Sequence, residues 1–384
     1  MKIIEKELSI SFPPKQHQHV LLCQIPNDLE RKNLLYRLAC PERNWQQVQS
    51  VLEMVAAGNE NLDKVNFIFF PESCLPYQRI HDVLELMEHL QPNTVTVLGL
   101  GPITLSTYRE LLQTYADDNA EALKSVTEDL AAGDIDELPV NSCMIVVKEL
   151  DGNLRVFFEA KSHPFVGEET LDNDHYLYRG KIFTLFRCLP SCFNFMVLIC
   201  LDYVYRDIYQ SNISTIIQKA NQLFFNTRQK LDLLSVIECN PKPEHSSFRD
   251  VANGFYGEYL ERSPGVNDTV TLFCNASGET VLQDCTTEKA FGRSSILLHK
   301  HHKMEQVTMS EFSTDNYGGL PVCRLRFGRE TRLYHFNLPF FHELDPRMTR
   351  MPVRIHAIYR AENDHWVRLK RSEISADLSS DEDD

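Results

Sequence analysis

The sequence has neither the long apolar runs of a membrane protein nor the basic charge of a nucleic-acid-binding protein. No run approaches the roughly 18 apolar residues that a membrane helix needs. Acidic residues outnumber basic residues by 54 to 39, which gives a formal net charge of −15 at pH 7. Nonspecific binding to nucleic acid depends on a basic surface. Residues 1–14 contain no apolar stretch typical of a signal peptide. We therefore expect a cytoplasmic protein that binds neither membranes nor nucleic acids.

Motifs for metals and cofactors are also missing. No C-x-x-C pair, no histidine pair with zinc spacing and no nucleotide-binding loop occurs in the sequence. His299, His301 and His302 lie close together, but a solvated basic turn explains them better than a metal site. The eleven cysteines are odd in number and lie mostly in apolar segments, as Cys143 and Cys274 do. This distribution favours reduced thiols over a disulfide framework, and we expect no cofactor.

Short apolar runs alternate with stretches of helical periodicity, and this alternation predicts a fold of the α/β class. Strands are predicted at residues 19–23, 65–70, 94–99, 143–147, 154–160, 182–186, 195–200, 223–225, 269–274 and 294–298. Helices are predicted from an N-cap at Asn44 to Gly58, over 107–132 as one or two helices, at 207–220 and at 247–261. A turn at Asp151-Gly152 joins two of the strands into a hairpin.

The pattern predicts three regions. Residues 1–300 form the main α/β domain. Residues 301–372 form a C-terminal extension that packs on this domain or on a partner subunit. Residues 373–384 form an acidic tail, for which a solvated segment is a better explanation than a binding motif.

Three of the predicted strands end in side chains that can do chemistry together. Cys200 ends the apolar run 195–200, Glu72 follows the run 65–70, and Lys161 follows the run 154–160. Open α/β sheets place their reactive groups at the carboxyl ends of strands. Taken alone, each residue has an ordinary explanation, namely a core thiol, a strand-end carboxylate or a surface charge. Their shared position predicts that they meet.

A thiol, an ammonium and a carboxylate are the parts of an activated nucleophile. A free thiol is mostly protonated at neutral pH and needs a base or a positive charge nearby. Glu72 can act as the base, because a partly desolvated carboxylate has a raised pKa. Lys161 can stabilise a thiolate and a developing oxyanion.

Several motifs with this arrangement resemble those of the nitrilase, or carbon–nitrogen hydrolase, superfamily. Phe70-Pro71-Glu72 resembles the segment that carries the glutamate base, and Ile199-Cys200-Leu201-Asp202 resembles the nucleophile segment. Further similar segments are Asn141-Ser142, the turn at Asp151-Gly152, Lys161-Ser162-His163, Asn275-Ala276-Ser277-Gly278 and Gly292-Arg293-Ser294-Ser295. Their order and rough spacing fit from His19 to Leu298.

The resemblance implies a four-layer αββα sandwich and a Glu72–Lys161–Cys200 triad that acts on a small amide or nitrile. It also implies an oxyanion held by Lys161 and by the backbone N–H of Leu201. A second glutamate helps in this family, for which Glu169 is preferred and Glu168 is the alternative. Both also fit a solvated acidic loop. Members of the family pair through helices beside the nucleophile strand, so we expect a homodimer or a higher homo-oligomer formed through 207–220. The isoleucines of that segment fit an ordinary core equally well.

Two features depart from the family pattern. Leu201 stands where many members have an aromatic residue, and Val204 stands where many have an arginine. The segment 107–132 and the long C-terminal part also lie outside the common pattern. The leading interpretation is a thiol hydrolase that cleaves a non-peptide C–N bond. The alternatives are a catalytically silent binding module and an N-acyltransferase with the same triad.

Overall fold

Two eight-stranded β-sheets form the framework of the protein in the computed structural model. The structure describes residues 2–12, 18–32, 35–164, 177–205, 211–227, 229–243, 246–255, 263–266, 268–282, 291–299, 313–316, 322–338, 353–362, 365–370 and 373. The strands, in chain order, are β1 (Lys2–Ile10), β2 (Gln18–Gln24), β3 (Asp28–Lys32), β4 (Leu35–Leu38), β5 (Phe67–Phe69), β6 (Thr94–Thr104), β7 (Pro139–Lys148), β8 (Leu154–Ala160), β9 (Ile182–Pro190), β10 (Phe193–Ile199), β11 (Leu233–Glu238), β12 (Val270–Asn275), β13 (Val281–Leu282), β14 (Ser295–His299), β15 (Ser313–Asn316), β16 (Val322–Arg326), β17 (Arg332–Leu338), β18 (Arg354–Glu362) and β19 (His365–Arg368).

The two sheets have different strand orders. The first sheet has the order β1-β9-β10-β11-β12-β14-β16-β15, and the second has the order β19-β18-β17-β2-β5-β6-β7-β8. Strands β10, β11 and β12 run parallel to one another, as do β2, β5 and β6. A small third sheet has the order β13-β3-β4. The parallel strands at the centre of each large sheet bring their carboxyl ends to one edge of that sheet.

Six α-helices lie among the described residues. They are α1 (Pro41–Ala56), α2 (Ile80–Glu88), α3 (Leu105–Thr114), α4 (Ala116–Ala132), α5 (Asn212–Phe224) and α6 (Ser246–Gly254). With the sheets they make a mixed α/β protein, and the predicted fold class is confirmed at that level. Within the described part of the chain, no helix has both the length and the apolarity that crossing a membrane requires.

The largest apolar cluster joins the two large sheets. Phe67, in the second sheet, contacts Phe195, in the first sheet. The two rings pack edge to face, with their centroids 5.5 Å apart. Alternate side chains of a strand point to opposite faces, so Val197 joins this cluster while Met196 and Leu198 pack on the other face with α5. Burial of side chains of this size stabilises a fold by about 1.5–3 kcal/mol each.

A second cluster covers the other face of the second sheet. Trp45, Val48 and Leu52 of α1 pack with Ile68 of β5, and side chains of α2, α3 and α4 join the same cluster. Their spacing along α1 is that of one apolar face of a helix. Each large sheet therefore has one face in the shared cluster and one face in contact with helices.

Two local predictions are wrong. Helix α1 begins at Pro41 rather than at an N-cap at Asn44, because proline is favoured in the first helical turn. Asn44 belongs to the first turn of α1, and its side chain is buried with its amide facing Asn27. The predicted strand 223–225 is also wrong, because the apolar face of α5 continues to Phe224. The strand that follows is β11, which begins at Leu233.

Two other local predictions are confirmed. The segment 107–132 is helical and forms most of α3 and α4. Strands β7 and β8 form an antiparallel hairpin. Gly152, in the turn between them, has a φ of 89°, a conformation that glycine adopts without strain.

The C-terminal part of the chain is built into both large sheets. Strand β17 pairs with β2 along its whole length and separates β2 from β18. Strand β16 pairs with β14 in the first sheet. The described residues of the predicted extension, 301–372, thus complete the sheets. Of the predicted acidic tail, all but Glu373 lies outside the described residues.

Candidate functional site

Glu72 and Lys161 form a buried ion pair. The Nζ atom of Lys161 lies 2.7 Å from Oε1 of Glu72, and the two side chains are 0% and 5% exposed. Taking two charges out of water is unfavourable unless further hydrogen bonds satisfy them. The pair joins residues 89 positions apart in the chain.

The carboxylate of Glu72 is held from two more directions. The amide of Asn141 donates to Oε1 at 2.8 Å, and the backbone N–H of Cys239 donates to Oε2 at 2.9 Å. The chain around Glu72 packs tightly on β6, where a Cβ atom on Gly99 would lie 2.4 Å from the Cα of Glu72. Glycine at position 99 therefore lets this turn approach the sheet.

Lys161 follows β8 directly. Its backbone N–H donates to the carbonyl of Asn141 at 2.8 Å, and its own carbonyl accepts from the N–H of Gly180 at 2.9 Å. Asn141 thus binds Lys161 through its backbone and Glu72 through its side chain. This double contact sets the two charged residues at the same end of the second sheet.

Cys200 stands at the carboxyl end of β10, in the first sheet. It begins a single 3-10 turn, Cys200–Asp202, which also contains Leu201, the predicted oxyanion donor. The residue is 6% exposed and has a φ of 47°. A non-glycine residue in this left-handed region is strained by about 1–3 kcal/mol, and such strain is typical of functional sites.

Asp202 connects this turn to the segment that carries Lys161. Its Oδ1 atom accepts hydrogen bonds from the backbone N–H and the hydroxyl of Ser162, at 2.9 and 2.7 Å, and from the N–H of His163 at 2.9 Å. Ser162 is the next residue after Lys161, and Asp202 lies two residues after Cys200. The network therefore brings the end of β10 against the end of β8.

Replacing Asp202 with alanine is expected to lower the free energy of unfolding by about 2–5 kcal/mol, because two backbone N–H groups lose their acceptor. The loosened turn should also slow alkylation of Cys200. Asp202→Asn keeps an oxygen acceptor and should lose much less. Urea titration of both variants measures the effect, and an Asp202→Ala protein as stable as the wild type would refute this role.

One buried carboxyl group at the site was missed by the sequence analysis. Glu238 ends β11, which lies beside β10 in the first sheet, and it is 2% exposed. Burial is the main cause that raises its pKa to about 8, and the charge of Glu72 adds to the effect. The run of residues 233–238 has the same form as the run before Glu72, an apolar stretch that ends in a carboxylate. That form could have identified Glu238.

The remaining predicted residues have different outcomes. Glu168 and Glu169 lie outside the described residues, as do His301 and His302. In the predicted pairing helix, Ile213, Ile216 and Ile217 are buried in the core of this chain, which is the ordinary alternative for them.

A pocket opens beside the carboxylate of Glu72. Its polar wall contains Asn141, Ser73 and Cys239. The rest of the wall is mostly apolar. Leu29, Tyr36 and Leu282 come from the small third sheet, Pro102 and Pro139 from β6 and β7, and Leu177 from the segment before β9. Apart from Glu72, the side chains described here in the wall carry no formal charge.

One group of possible metal ligands lies on the surface of a helix. His81, Asp82 and Glu85 place three ligand atoms within 4.8 Å of one another on the outer surface of α2. His81 and Glu85 are exposed, and their side chains lie 3.3 Å apart as an ordinary i,i+4 pair. Helix-surface pairs of this kind are common without an ion.

Searched against models of known protein families and against curated proteins, the chain has no significant match.

Proposed function

We propose that this protein is a thiol hydrolase that cleaves the C–N bond of a small amide or nitrile. The observation that carries the proposal is the buried ion pair of Glu72 and Lys161, which lies where the strained turn of Cys200 meets the end of β8. Burying both charges of an ion pair costs free energy through desolvation, and buried ionisable groups of this kind are typical of catalytic sites.

The four-layer αββα sandwich of the nitrilase superfamily is the fold that we propose. Two observations support it. One apolar cluster joins the two large sheets, and helices pack on the remaining face of each. In addition, Lys161 directly follows β8 and Cys200 directly follows β10, which are strand ends of the kind where that superfamily has its reactive residues.

The proposed reaction has two stages. The thiolate of Cys200 attacks the substrate carbon, while the ammonium of Lys161 and the N–H of Leu201 stabilise the oxyanion. With an amide, Glu72 takes the thiol proton and gives it to the leaving nitrogen, so that the C–N bond breaks and a thioester forms. With a nitrile, the thiolate adds to the C≡N carbon, and the thioimidate that forms takes up water and releases ammonia to give the same thioester. Water then attacks the thioester with Glu72 as the base, and the acid and the free thiol are released.

The pocket wall indicates the type of acyl group. Leu29, Tyr36 and Leu282 offer apolar contacts, and a negative charge on the acyl part would lose its hydration against this wall without gaining a cation from it. We propose an uncharged, largely apolar acyl group. An amide with a carboxylate in its acyl part should be a poor substrate.

The test is a search for the acyl-enzyme. The protein is mixed with a panel of amides and nitriles that have apolar, cationic or anionic acyl parts, and the peptide that contains Cys200 is examined by mass spectrometry. Apolar compounds should leave a thioester on Cys200, and hydroxylamine should remove it as the hydroxamate. Cys192→Ser, which changes a thiol at the opposite end of β10, should form the same adduct.

The outcomes separate the three interpretations. Release of free acid in water supports the hydrolase, whereas product that forms only when an amine is added supports the acyltransferase. No adduct from any compound in the panel, together with an inert Cys200, contradicts the proposal and supports a silent binding module.

A further inference from the structure

Glu238 lies next to the nucleophile on the neighbouring strand. Strands β10 and β11 are parallel, and Ile199 is paired with Ile237. Cys200 and Glu238 are therefore the next residues along two adjacent strands. The backbone N–H that follows Glu238, that of Cys239, donates to Glu72 at 2.9 Å. Glu238 thus lies at the same end of the first sheet as Cys200 and directly precedes a residue that binds Glu72.

The surroundings of Glu238 favour its uncharged form. The carboxylate of Glu72 and the buried thiol of Cys274 face it, and the ammonium of Lys161 is the cation that acts on it. The side chain of Asn240 lies close enough to act on the carboxyl group of Glu238, although the buried Oε1 atom forms no well-aligned hydrogen bond with the described residues. The pKa of Glu238 is raised to about 8, because burial and the charge of Glu72 raise it more than the side chain of Asn240 and the charge of Lys161 lower it. At neutral pH most molecules therefore carry a proton on this group.

We infer that Glu238 is a positioning residue that acts on Cys200 through the ammonium of Lys161. When Glu238 is uncharged, the ammonium of Lys161 interacts with the carboxylate of Glu72 and with the thiolate of Cys200. When Glu238 is a carboxylate, it competes with the thiolate for that positive charge. The inference rests on the proposed function, because it presumes that Cys200 reacts as a thiolate.

The raised pKa of Glu238 determines how its effect on Cys200 changes with pH. The carboxyl group of Glu238 keeps its proton below pH 8 and loses it as the pH rises through about 8. The new negative charge in this buried place disfavours the thiolate, because like charges interact strongly where water is excluded. In the wild type, ionisation of Cys200 should therefore spread over a wide pH range, as coupled groups do.

The experiment compares alkylation of Cys200 by iodoacetamide in the wild type and in Glu238→Gln, from pH 6.5 to pH 9. Glutamine has the shape of the protonated acid but cannot ionise. The ratio of the variant's rate to the wild-type rate should rise about three- to tenfold over this range, because only the wild type gains the second negative charge. A purely structural defect would lower the ratio equally at every pH.

Asp232→Asn is the matched control. Asp232 immediately precedes β11, at the far end from Glu238, and burial raises its pKa to about 7. Its oxygen accepts from the N–H of Asn194 at 2.8 Å. The rate ratio for this variant should stay flat. A flat ratio for Glu238→Gln would overturn the inference.

The wild-type profile provides a second measurement that needs no variant. A rate that follows a single-group titration curve would also overturn the inference, even if Glu238→Gln does not fold. Failure of the proposed function gives a different result, because Cys200 in the wild type would then react no faster than the other buried thiols.

Discussion

Replacing Lys161 with methionine is expected to lower the free energy of unfolding by about 3–5 kcal/mol and to slow alkylation of Cys200 at least tenfold. The loss of stability follows because the variant leaves the carboxylate of Glu72 buried without its cation. The loss of reactivity follows because the ammonium is the charge that favours the thiolate. Urea unfolding and the alkylation rate at pH 7 measure the two effects.

The double variant Lys161→Met with Glu72→Gln separates these two effects. It removes both charges, so it should regain most of the lost stability while alkylation of Cys200 stays slow. Lys148→Met is the control, because Lys148 is also buried but donates to the carbonyls of Glu88 and Leu90. That variant should leave the alkylation rate unchanged. A Lys161→Met protein with wild-type reactivity would remove the ammonium from the proposed mechanism.

Replacing Glu72 with glutamine is expected to slow acyl-enzyme formation by about a hundredfold to ten-thousandfold, the range typical of a lost general base. Glutamine still offers one oxygen to Asn141 or to Cys239, but it leaves the ammonium of Lys161 without its counter-charge and should lower the free energy of unfolding by about 3–5 kcal/mol. The rate is therefore measured on protein whose folded state is checked by circular dichroism. Stopped-flow mixing with an apolar amide that forms the adduct gives the rate.

Glu149→Gln is the matched control for that variant. Glu149 is a buried carboxylate that accepts the backbone N–H of Ser9 at 2.6 Å, at the far end of β7. Its replacement should leave acyl-enzyme formation unchanged. If Glu72→Gln formed the adduct at the wild-type rate, another group would have to move the proton.

The prediction that Glu72 and Lys161 meet came from their positions, because each follows a predicted strand. A strand-end position is a local property, so it can be recognised without knowledge of the fold. The groups that hydrogen-bond to the ion pair could not be recognised in this way. The N–H of Cys239 and the amide of Asn141 reach Glu72 only because strand order and register bring distant segments together, and no local pattern encodes that order.

Glu238 was missed for a specific reason. The apolar residues Leu223 and Phe224 favoured a strand, although they continue the helical spacing of Ile213, Ile217 and Ala220. Placing the strand there hid β11, and with it the carboxylate at its end. The left-handed backbone of Cys200 also lay beyond sequence reasoning, because cysteine has no preference for that conformation.

The relative reactivity of the eleven cysteines tests the central claim most directly. Two opposing influences act on Cys200. It is buried like Cys23 and Cys74, whose pKa values are raised by burial, but the proposed site places the ammonium of Lys161 where it favours the thiolate. Cys40, in contrast, is exposed. The measurement is competitive alkylation of the native protein with isotope-coded iodoacetamide at pH 7, followed by peptide mapping. The proposed site predicts that Cys200 reacts faster than exposed Cys40. If Cys40 reacts first and Cys200 reacts as slowly as Cys23 and Cys74, the thiol of residue 200 is not activated and the proposed function is wrong.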